Sequence, residues 1–291
     1  MAGSSPAEAV SKLDSGDRVG PYLIERRLGE GGMGLVFKAR APDGRDVALK
    51  LVRDELSRDA VLRKRFDREA RAARRVDSPH LVGVLDTGEF GGIPYMAQEF
   101  ISGETLKDRI DREGPLALED AVLVCLQVAR GLDALHAERL VHRDLKPGNI
   151  LLDEGGDVHI TDFGLAKDRD ASVLTKSGTS VGSFDYMAPE QIRGEEVTAV
   201  SDVYALGCVV HECLCGEPPF ADRDGRQVLW AHLRDPAPDA CAARADAPAD
   251  LGWAVARALD KEPGRRPPSA TAYARMVQVA AGVPPLSPGE R

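Results

Sequence analysis

Alternating apolar and polar residues near the start of the chain predict a small antiparallel sheet. The stretch YLIERRL at 22–28 is typical of a strand, and LVFKARA at 35–41 alternates strictly between an apolar and a more polar face. After PDG at 42–44, the alternation resumes in RDVALKLV at 45–52. Because a glycine-rich loop joins the first two stretches and a turn joins the next two, we expect consecutive hairpins.

A helical period dominates the remainder of the chain. Residues 55–76, residues 118–140 and the final SATAYARMVQVAAG follow it, and the apolar run at 203–215 is preceded by Asp202, a candidate helix cap. Residues 216–250 are rich in Pro, Asp and Ala, which predicts loops. We therefore expect an α+β fold in which a small mainly-β lobe with one long helix precedes a larger mainly-α lobe, with a ligand cleft between the lobes.

Composition along the chain suggests how it is divided. Residues 1–19 are small and polar, and we expect them to be disordered. One domain should cover residues 20–280, with a small lobe at about 20–98 and a large lobe at about 102–280. Residues 281–291 form a tail or the start of a linker.

Charge and cysteine content narrow the function classes. The chain has 291 residues, of which 43% are hydrophobic and 29% charged, as in ordinary soluble proteins. A net charge of −9 argues against nucleic-acid binding. The five cysteines form no CxxC pair, which indicates reduced thiols in the cytoplasm. No apolar stretch is long enough to span a bilayer, so we expect no membrane contact within this chain; whether it is a short protein or an excised domain stays open.

The most unusual local sequence is GEGGMG at 29–34. Glycine at this density permits sharp turns and close approach of a ligand to the backbone. The spacing Gly29-x-Gly31-x-x-Gly34 also fits a dinucleotide fingerprint. That fingerprint must open a helix, and a strand follows here, so the dinucleotide interpretation is disfavoured.

Two charged residues occupy apolar patterns. Lys50 lies on a predicted strand beside Ala48 and Val52, and Glu69 falls on the apolar stripe of the helix at 55–76. A charge in such a place needs a partner if it is buried. From these residues alone, Glu69 can either pair with a neighbouring arginine or hold Lys50 towards a phosphate ligand.

The middle of the chain favours the second alternative. Including the glycine loop, five motifs occur in this order along the chain: GEGGMGLV at 29–36, VALK at 47–50, HRDLKPGN at 142–149, DFG at 162–164 and APE at 188–190. This is the signature set of protein kinases. From about Tyr22 to about Val279, the chain resembles the bacterial branch of the Hanks-type serine/threonine protein kinases.

The resemblance implies a bilobal protein-kinase fold that uses ATP with Mg²⁺ or Mn²⁺. Asp144 would accept the proton of the substrate hydroxyl, Lys146 would contact the γ-phosphate, and Glu69 would orient Lys50 on the α- and β-phosphates. The metal ligands would be Asn149 and Asp162.

The resemblance also implies a nucleotide site. Residues that would contact the nucleotide, besides Lys50, Asn149 and Asp162, are Leu28, Gly29, Glu30, Gly31, Gly32, Gly34, Val36, Ala48, Glu99, Ile101 and Leu151. The carbonyl of Glu99 and the N–H of Ile101 would bond the adenine edge, with Gln98 at the gatekeeper position.

Three other residue roles are implied by the same resemblance. Glu190 should pair with Arg266 for structural reasons. His142 should pack against Phe163, without acting as an acid or base. His159, by contrast, follows the strand alternation in DVHITDF, which places it on a polar face at the surface.

Control and partners are the last expectations. The segment LTKSGTSVGS between DFG and APE is rich in hydroxyls, and we expect autophosphorylation at Thr175, Ser177 or Thr179. Arg143, Lys167 and Arg65 would form the basic pocket for that phosphate. Partners would be protein substrates with Ser or Thr, and a second copy through the small lobe, as in many relatives. The alternative is a nucleotide-binding pseudokinase scaffold, which is disfavoured because all the motif residues are present.

Overall fold

The structure is a computed structural model that describes residues 10, 12–31, 34–52, 70–163, 184–242 and 244–285. The chain divides into two compact units. Among the described residues, the sheet unit comprises those before residue 78 together with residues 82–101, and the helical unit comprises residues 78–81 and those from 102 onwards.

The sheet unit is built on six antiparallel strands in the order β1-β2-β3-β4-β6-β5. The strands are β1 (Arg18–Val19), β2 (Tyr22–Gly31), β3 (Gly34–Arg40), β4 (Asp46–Val52), β5 (Val84–Phe90) and β6 (Ile93–Glu99). Alternate residues of the central strands, including Phe37, Leu49 and Ala97, are completely or almost completely buried in one core. The predicted hairpins at 22–52 are confirmed, because β2 pairs with β3 and β3 with β4.

Within residues 1–19, for which we expected disorder, the described residues 10 and 12–19 make defined contacts with the sheet unit. Val10 belongs to the buried core of the sheet unit, and Leu13 packs against that core. The N–H of Gly16 donates to the carbonyl of Ile24 at 2.9 Å, and β1 pairs with β2. Two isolated apolar residues in a polar sequence gave no periodic signal, yet both pack into or against the core of the sheet unit.

The helical unit contains most of the described helices. These are α1 (Leu106–Glu113), α2 (Leu118–Ala137), α3 (Pro189–Arg193), α4 (Ala199–Cys215), α5 (Arg226–Arg234), α6 (Ala249–Ala258) and α7 (Ala270–Ala280). Short β7 (Gly103–Thr105), β8 (Ile150–Asp153) and β9 (Val158–Ile160) form a second sheet, and Pro147–Asn149 and Pro263–Arg265 are 3₁₀ turns. Helices α2 and α4 pack together and carry the core of the unit, because both are apolar around most of their circumference.

The predicted cap of the apolar helix is wrong. Helix α4 begins four residues earlier than expected, at Ala199, with Thr198 at its N-cap. Asp202 lies inside the helix and is buried. Residues 216–250, which we expected to be rich in loops, contain the nine-residue helix α5 and the first residues of α6.

Two predictions on composition can be compared with the structure. All five cysteines lie in described parts of the chain and are free thiols, as expected. Among the residues that the structure describes, none of the helices combines the length and hydrophobicity that a membrane span needs.

Candidate active site

The loop that carries HRDLKPGN is anchored by one buried carboxylate of α4. Asp202 Oδ2 accepts a hydrogen bond from the backbone N–H of His142 at 2.8 Å, and Oδ1 accepts one from that of Arg143 at 2.9 Å. His136, at the end of α2, lies 2.8 Å from Asp202 Oδ2. Burial opposes a charge on His136, but the carboxylates of Asp133 and Asp202 outweigh it and raise its pKa to about 9. His136 is therefore positively charged at neutral pH.

His142 connects this loop to the segment that carries Asp162. Its Nδ1 accepts the backbone N–H of Asp144 at 3.2 Å, so Nε2 carries the proton and donates to the carbonyl of Thr161 at 3.1 Å. Burial lowers the pKa of His142 and keeps the imidazole neutral. The ring packs edge-on against Phe163, with centroids 6.4 Å apart, which confirms the predicted contact.

Two side chains predicted for the site, those of Lys146 and Asn149, bind Asp144. Lys146 Nζ donates to Asp144 Oδ2 at 3.2 Å. Asn149 Nδ2 donates to the backbone carbonyl of Asp144 at 2.8 Å and to Oδ2 at 3.2 Å. The carboxylate is thereby held in one orientation beside a cation, at the partly exposed surface of the loop.

The predicted metal ligands, Asn149 and Asp162, have side-chain oxygens of the chemistry that such a site needs. Because both donations of Asn149 come from Nδ2, its Oδ1 is the acceptor that remains for a cation. The N–H of Thr161 donates to the carbonyl of Asn149 at 2.9 Å, which brings the residue before Asp162 against Asn149. Asp162 has a φ of 62°, an uncommon value for a residue other than glycine. An amide oxygen and a carboxylate in this arrangement fit a hard cation such as Mg²⁺.

In the sheet unit, one face of the strands collects the residues predicted to bind nucleotide. Lys50 on β4 lies opposite Val36 on β3 and Met96 on β6, and Ala48 lies opposite Gln98. This face is opposite the one that packs into the core of the unit. Lys50 is buried, with 7% of its surface exposed, as the pattern of apolar neighbours predicted.

Gln98 lies on this face, and one of its two side-chain polar atoms lacks a hydrogen bond within the described part of the chain. Its side chain is buried, and its Nε2 has no hydrogen-bond partner among the residues that the structure describes. The next residue, Glu99, is held by a backbone hydrogen bond, in which its N–H donates to the carbonyl of Gly83 at 2.9 Å.

The glycine loop is described on both sides of residues 32–33. Gly29, Glu30 and Gly31 end β2, and Gly34 begins β3 directly opposite Gly31. Leu28 precedes them and is partly exposed. The remaining predicted nucleotide residues Ile101 and Leu151 lie after β6 and on β8.

Several predicted residues lie outside the described parts of the chain: Gly32, Glu69, Arg65, Lys167, Thr175, Ser177 and Thr179. The pairing of Glu69 with Lys50 and the phosphorylation sites therefore stay predictions. Among the described residues, no group of histidine, cysteine and acidic side chains is arranged to hold a metal ion by itself.

The predicted ion pair behind APE is confirmed. Arg266 donates from Nη1 and Nη2 to the two oxygens of Glu190, at 2.7 and 2.8 Å, and both residues are buried. Burial raises the pKa of the Glu190 carboxyl, but the hydrogen bonds from Arg266 outweigh it, and the pKa lies below its usual value.

A second buried carboxylate holds the residues just before APE. Tyr186 Oη donates to Glu212 Oε2 at 2.5 Å, and Lys107 Nζ lies 3.9 Å from Oε1. Burial raises the pKa of Glu212 to about 7, with smaller opposing effects from Tyr186 and Lys107.

His159, predicted at the surface, is partly buried and pairs with Asp153 at 3.1 Å.

The sequence analysis missed the groups that orient the loop. Asp202, His136 and Gln191 do not touch a predicted substrate; Gln191, for example, donates from Nε2 to the carbonyl of Arg143 at 3.0 Å. One signal was available, because an acid in an apolar helix needs a partner. Which partner it finds depends on tertiary contacts that no periodicity encodes.

Comparisons with known proteins agree with these motifs. The family model described as protein kinase domain matches residues 22–272. Two Mycobacterium tuberculosis proteins named serine/threonine-protein kinase, PknH and PknD, are each 41% identical to this chain, over 256 and 262 residues. The alignments cover 88% and 89% of this chain but 41% and 39% of those proteins, so the chain spans less than half the length of these curated relatives.

Solved structures show the same fold. The crystal structure of the PknI kinase domain from M. tuberculosis matches with a TM-score of 0.77 and 30% sequence identity. That match covers 93% of this chain and 100% of the other.

Proposed function

This chain belongs to the protein kinase family, and from that premise we propose that it is an active serine/threonine protein kinase, which transfers the γ-phosphoryl group of ATP to Ser and Thr hydroxyls of proteins. The observation that carries the proposal is the arrangement of Asp144, Lys146 and Asn149. A carboxylate held 3.2 Å from a lysine ammonium offers a proton acceptor and a phosphate-binding cation side by side.

Each residue of the loop has a separate task. Asp144 accepts the proton of the substrate hydroxyl while Lys146 attracts the γ-phosphate. One hydrogen bond from Asn149 orients the Asp144 carboxylate, and a second holds the backbone carbonyl of the same residue. Asp202 and His142 fix the loop backbone, so the carboxylate needs little reorganisation during transfer.

We propose the following residues for cofactor binding. Asn149 and Asp162 would hold Mg²⁺, which supplies neutralisation of the phosphate charge when bound. Lys50, with Glu69 as its partner, would position the α- and β-phosphates. The glycine loop would cover the phosphates with backbone N–H groups, and the Glu99 carbonyl and Ile101 N–H would bind the base. Location in the cytoplasm follows from the reduced thiols and is part of the proposal.

The finer part of the proposal is control by phosphorylation. Thr175, Ser177 and Thr179 are the proposed sites of autophosphorylation, with Arg143 as one of the cations that receive the phosphate. Protein substrates contain Ser or Thr, and a second copy of the chain is the proposed partner of the sheet unit.

The proposal is tested by incubating purified protein with Mg-ATP and mapping added phosphate by mass spectrometry. We expect phosphate on Ser or Thr, first between residues 164 and 183, and none on Asp144→Asn. A wild-type protein that binds ATP but gains no phosphate, and transfers none to a mixed Ser/Thr peptide library, would contradict the proposal and favour a scaffold.

A further inference from the structure

A cavity of about 200 Å³ lies in the helical unit between α2 and α7. Leu126 and Arg130 of α2 line one side, and Ala274, Arg275 and Gln278 of α7 line the other. It involves none of the residues assigned above to phosphoryl transfer. Leu126 and Ala274 are buried and give the cavity an apolar wall.

The charge on this cavity is unusual for an acidic protein. Neither Arg130 nor Arg275 forms an ion pair with any carboxylate in the described parts of the chain. Some other arginines of the same unit have such partners: Arg112 pairs with Glu104 and Arg244 with Asp246. Two guanidinium groups on one small cavity repel each other unless an anion joins them.

The carboxylate closest in sequence to Arg130 on α2 binds other groups. Asp133, one helical turn after Arg130, accepts the backbone N–H groups of Ala270 and Thr271 at 3.1 and 3.0 Å. It also lies 3.7 Å from His136, which is charged at neutral pH. Both oxygens of Asp133 thus bind the first turn of α7, and its ion pair is with His136.

The remaining polar lining is compatible with an anion. Gln278 donates from Nε2 to the carbonyl of Pro284 at 3.0 Å, which fixes the amide at the edge of the cavity. Guanidinium groups bind carboxylate and phosphate oxygens through paired N–H donors. The volume is at the small end for ligand sites, so only a few non-hydrogen atoms fit beside the charged group.

We propose that this cavity binds a small organic anion, whose carboxylate or phosphate group is bridged by Arg130 and Arg275 and whose short apolar part packs on Leu126 and Ala274. Such a site extends the function beyond phosphoryl transfer, since it would let the chain respond to a small acidic metabolite or to an acidic group of another molecule.

The direct test uses three matched probes: propyl phosphate, propanoate and the neutral propanamide. Each is titrated into isotope-labelled protein while the amide resonances of Ala274 and Gln278 are followed by NMR. We expect saturable shifts with the two anions and none with propanamide. The anion that saturates at the lower concentration identifies phosphate or carboxylate as the preferred group.

Variants make the test specific. Arg130→Gln and Arg275→Gln should each weaken anion binding about tenfold or more, because one charge-assisted contact is lost. Arg226→Gln, which removes an exposed arginine from α5, should leave it unchanged. Because Arg275 is exposed, its variant should fold normally even if Arg130→Gln does not. Shifts that fail to saturate, occur equally with propanamide, or persist in Arg275→Gln would overturn the proposal.

This test is independent of catalysis. It measures binding at residues of α7, so a chain that fails to transfer phosphate can still bind the anion, and an active kinase can still lack the site.

Discussion

Asp202 and His142 are joined by a 2.8 Å hydrogen bond from the backbone N–H of His142 to a fully buried carboxylate oxygen. A helix of the core thereby fixes the backbone of the loop two residues before Asp144. The second oxygen binds the N–H of Arg143, whose φ of 66° is uncommon for a residue other than glycine. The bonds from Asp202 stabilise a backbone conformation that an unanchored loop would rarely adopt.

Replacing Asp202 by Asn should therefore loosen the loop. The amide presents a donor where the carboxylate accepted one, so at least one N–H is left unpaired in the interior. We expect a loss of about 2–3 kcal/mol in the free energy of unfolding. Urea unfolding measures it, with Asp222→Asn at an exposed position as the control. An unchanged midpoint for Asp202→Asn would show that the anchor is dispensable.

The ion pair between Glu190 and Arg266 should be sensitive to loss of one partner. Arg266→Ala leaves the Glu190 carboxylate buried without its guanidinium, and we expect about 3–5 kcal/mol of destabilisation. Arg223→Ala removes a half-exposed ion pair with Asp235 and should cost under about 1 kcal/mol. If thermal unfolding showed the same loss of stability for both substitutions, burial would not explain the larger effect expected for Arg266→Ala.

The raised pKa of Glu212 makes the stability of the fold depend on pH. Burial raises its folded pKa from 4.5 to about 7, so between these values the folded state keeps a proton that the unfolded state has released. Stability from this group is present below about pH 4.5 and falls as pH rises through 7. The expected total is about 3 kcal/mol.

The matched variant is Glu212→Gln, which cannot titrate. Relative to wild type, it should gain stability between pH 5 and pH 8 in urea unfolding experiments. Glu138→Gln, at an exposed position, should run parallel to wild type over this range. If Glu212→Gln also ran parallel, Glu212 would not titrate there.

Substitution of Lys50 tests its proposed contact with the phosphates of the nucleotide. Lys50→Met removes the cation proposed to hold the α- and β-phosphates and should abolish transfer. Glu69→Gln should cause a large but smaller loss, since the lysine remains. Steady-state rates with a peptide substrate measure both, and Lys12→Met, at an exposed position, serves as the control. Full activity of Glu69→Gln would refute the pairing.

The elements that could be predicted from sequence are those with a local signal. Alternation in 35–41 and 45–52 gave the hairpins, because side-chain direction follows directly from strand geometry. Glu190 and Arg266 were matched only through a family resemblance, since a contact between such distant positions has no local signature. Asp202 shows the limit: its position just before an apolar run suggested a helix cap, whereas its partners come from a loop about 60 residues away.

The central claim is that Asp144 carries phosphoryl transfer in a site that binds ATP. The most direct measurement compares wild type and Asp144→Asn for transfer of radiolabelled γ-phosphate to a Ser/Thr peptide library, together with the Kd for ATP with Mg²⁺. We expect wild type to label Ser and Thr. Asp144→Asn should lose almost all transfer while its Kd stays within about threefold of wild type, because this residue acts on the hydroxyl rather than the nucleotide. Retained transfer by a folded Asp144→Asn protein, or absence of transfer by ATP-bound wild type, would contradict the account.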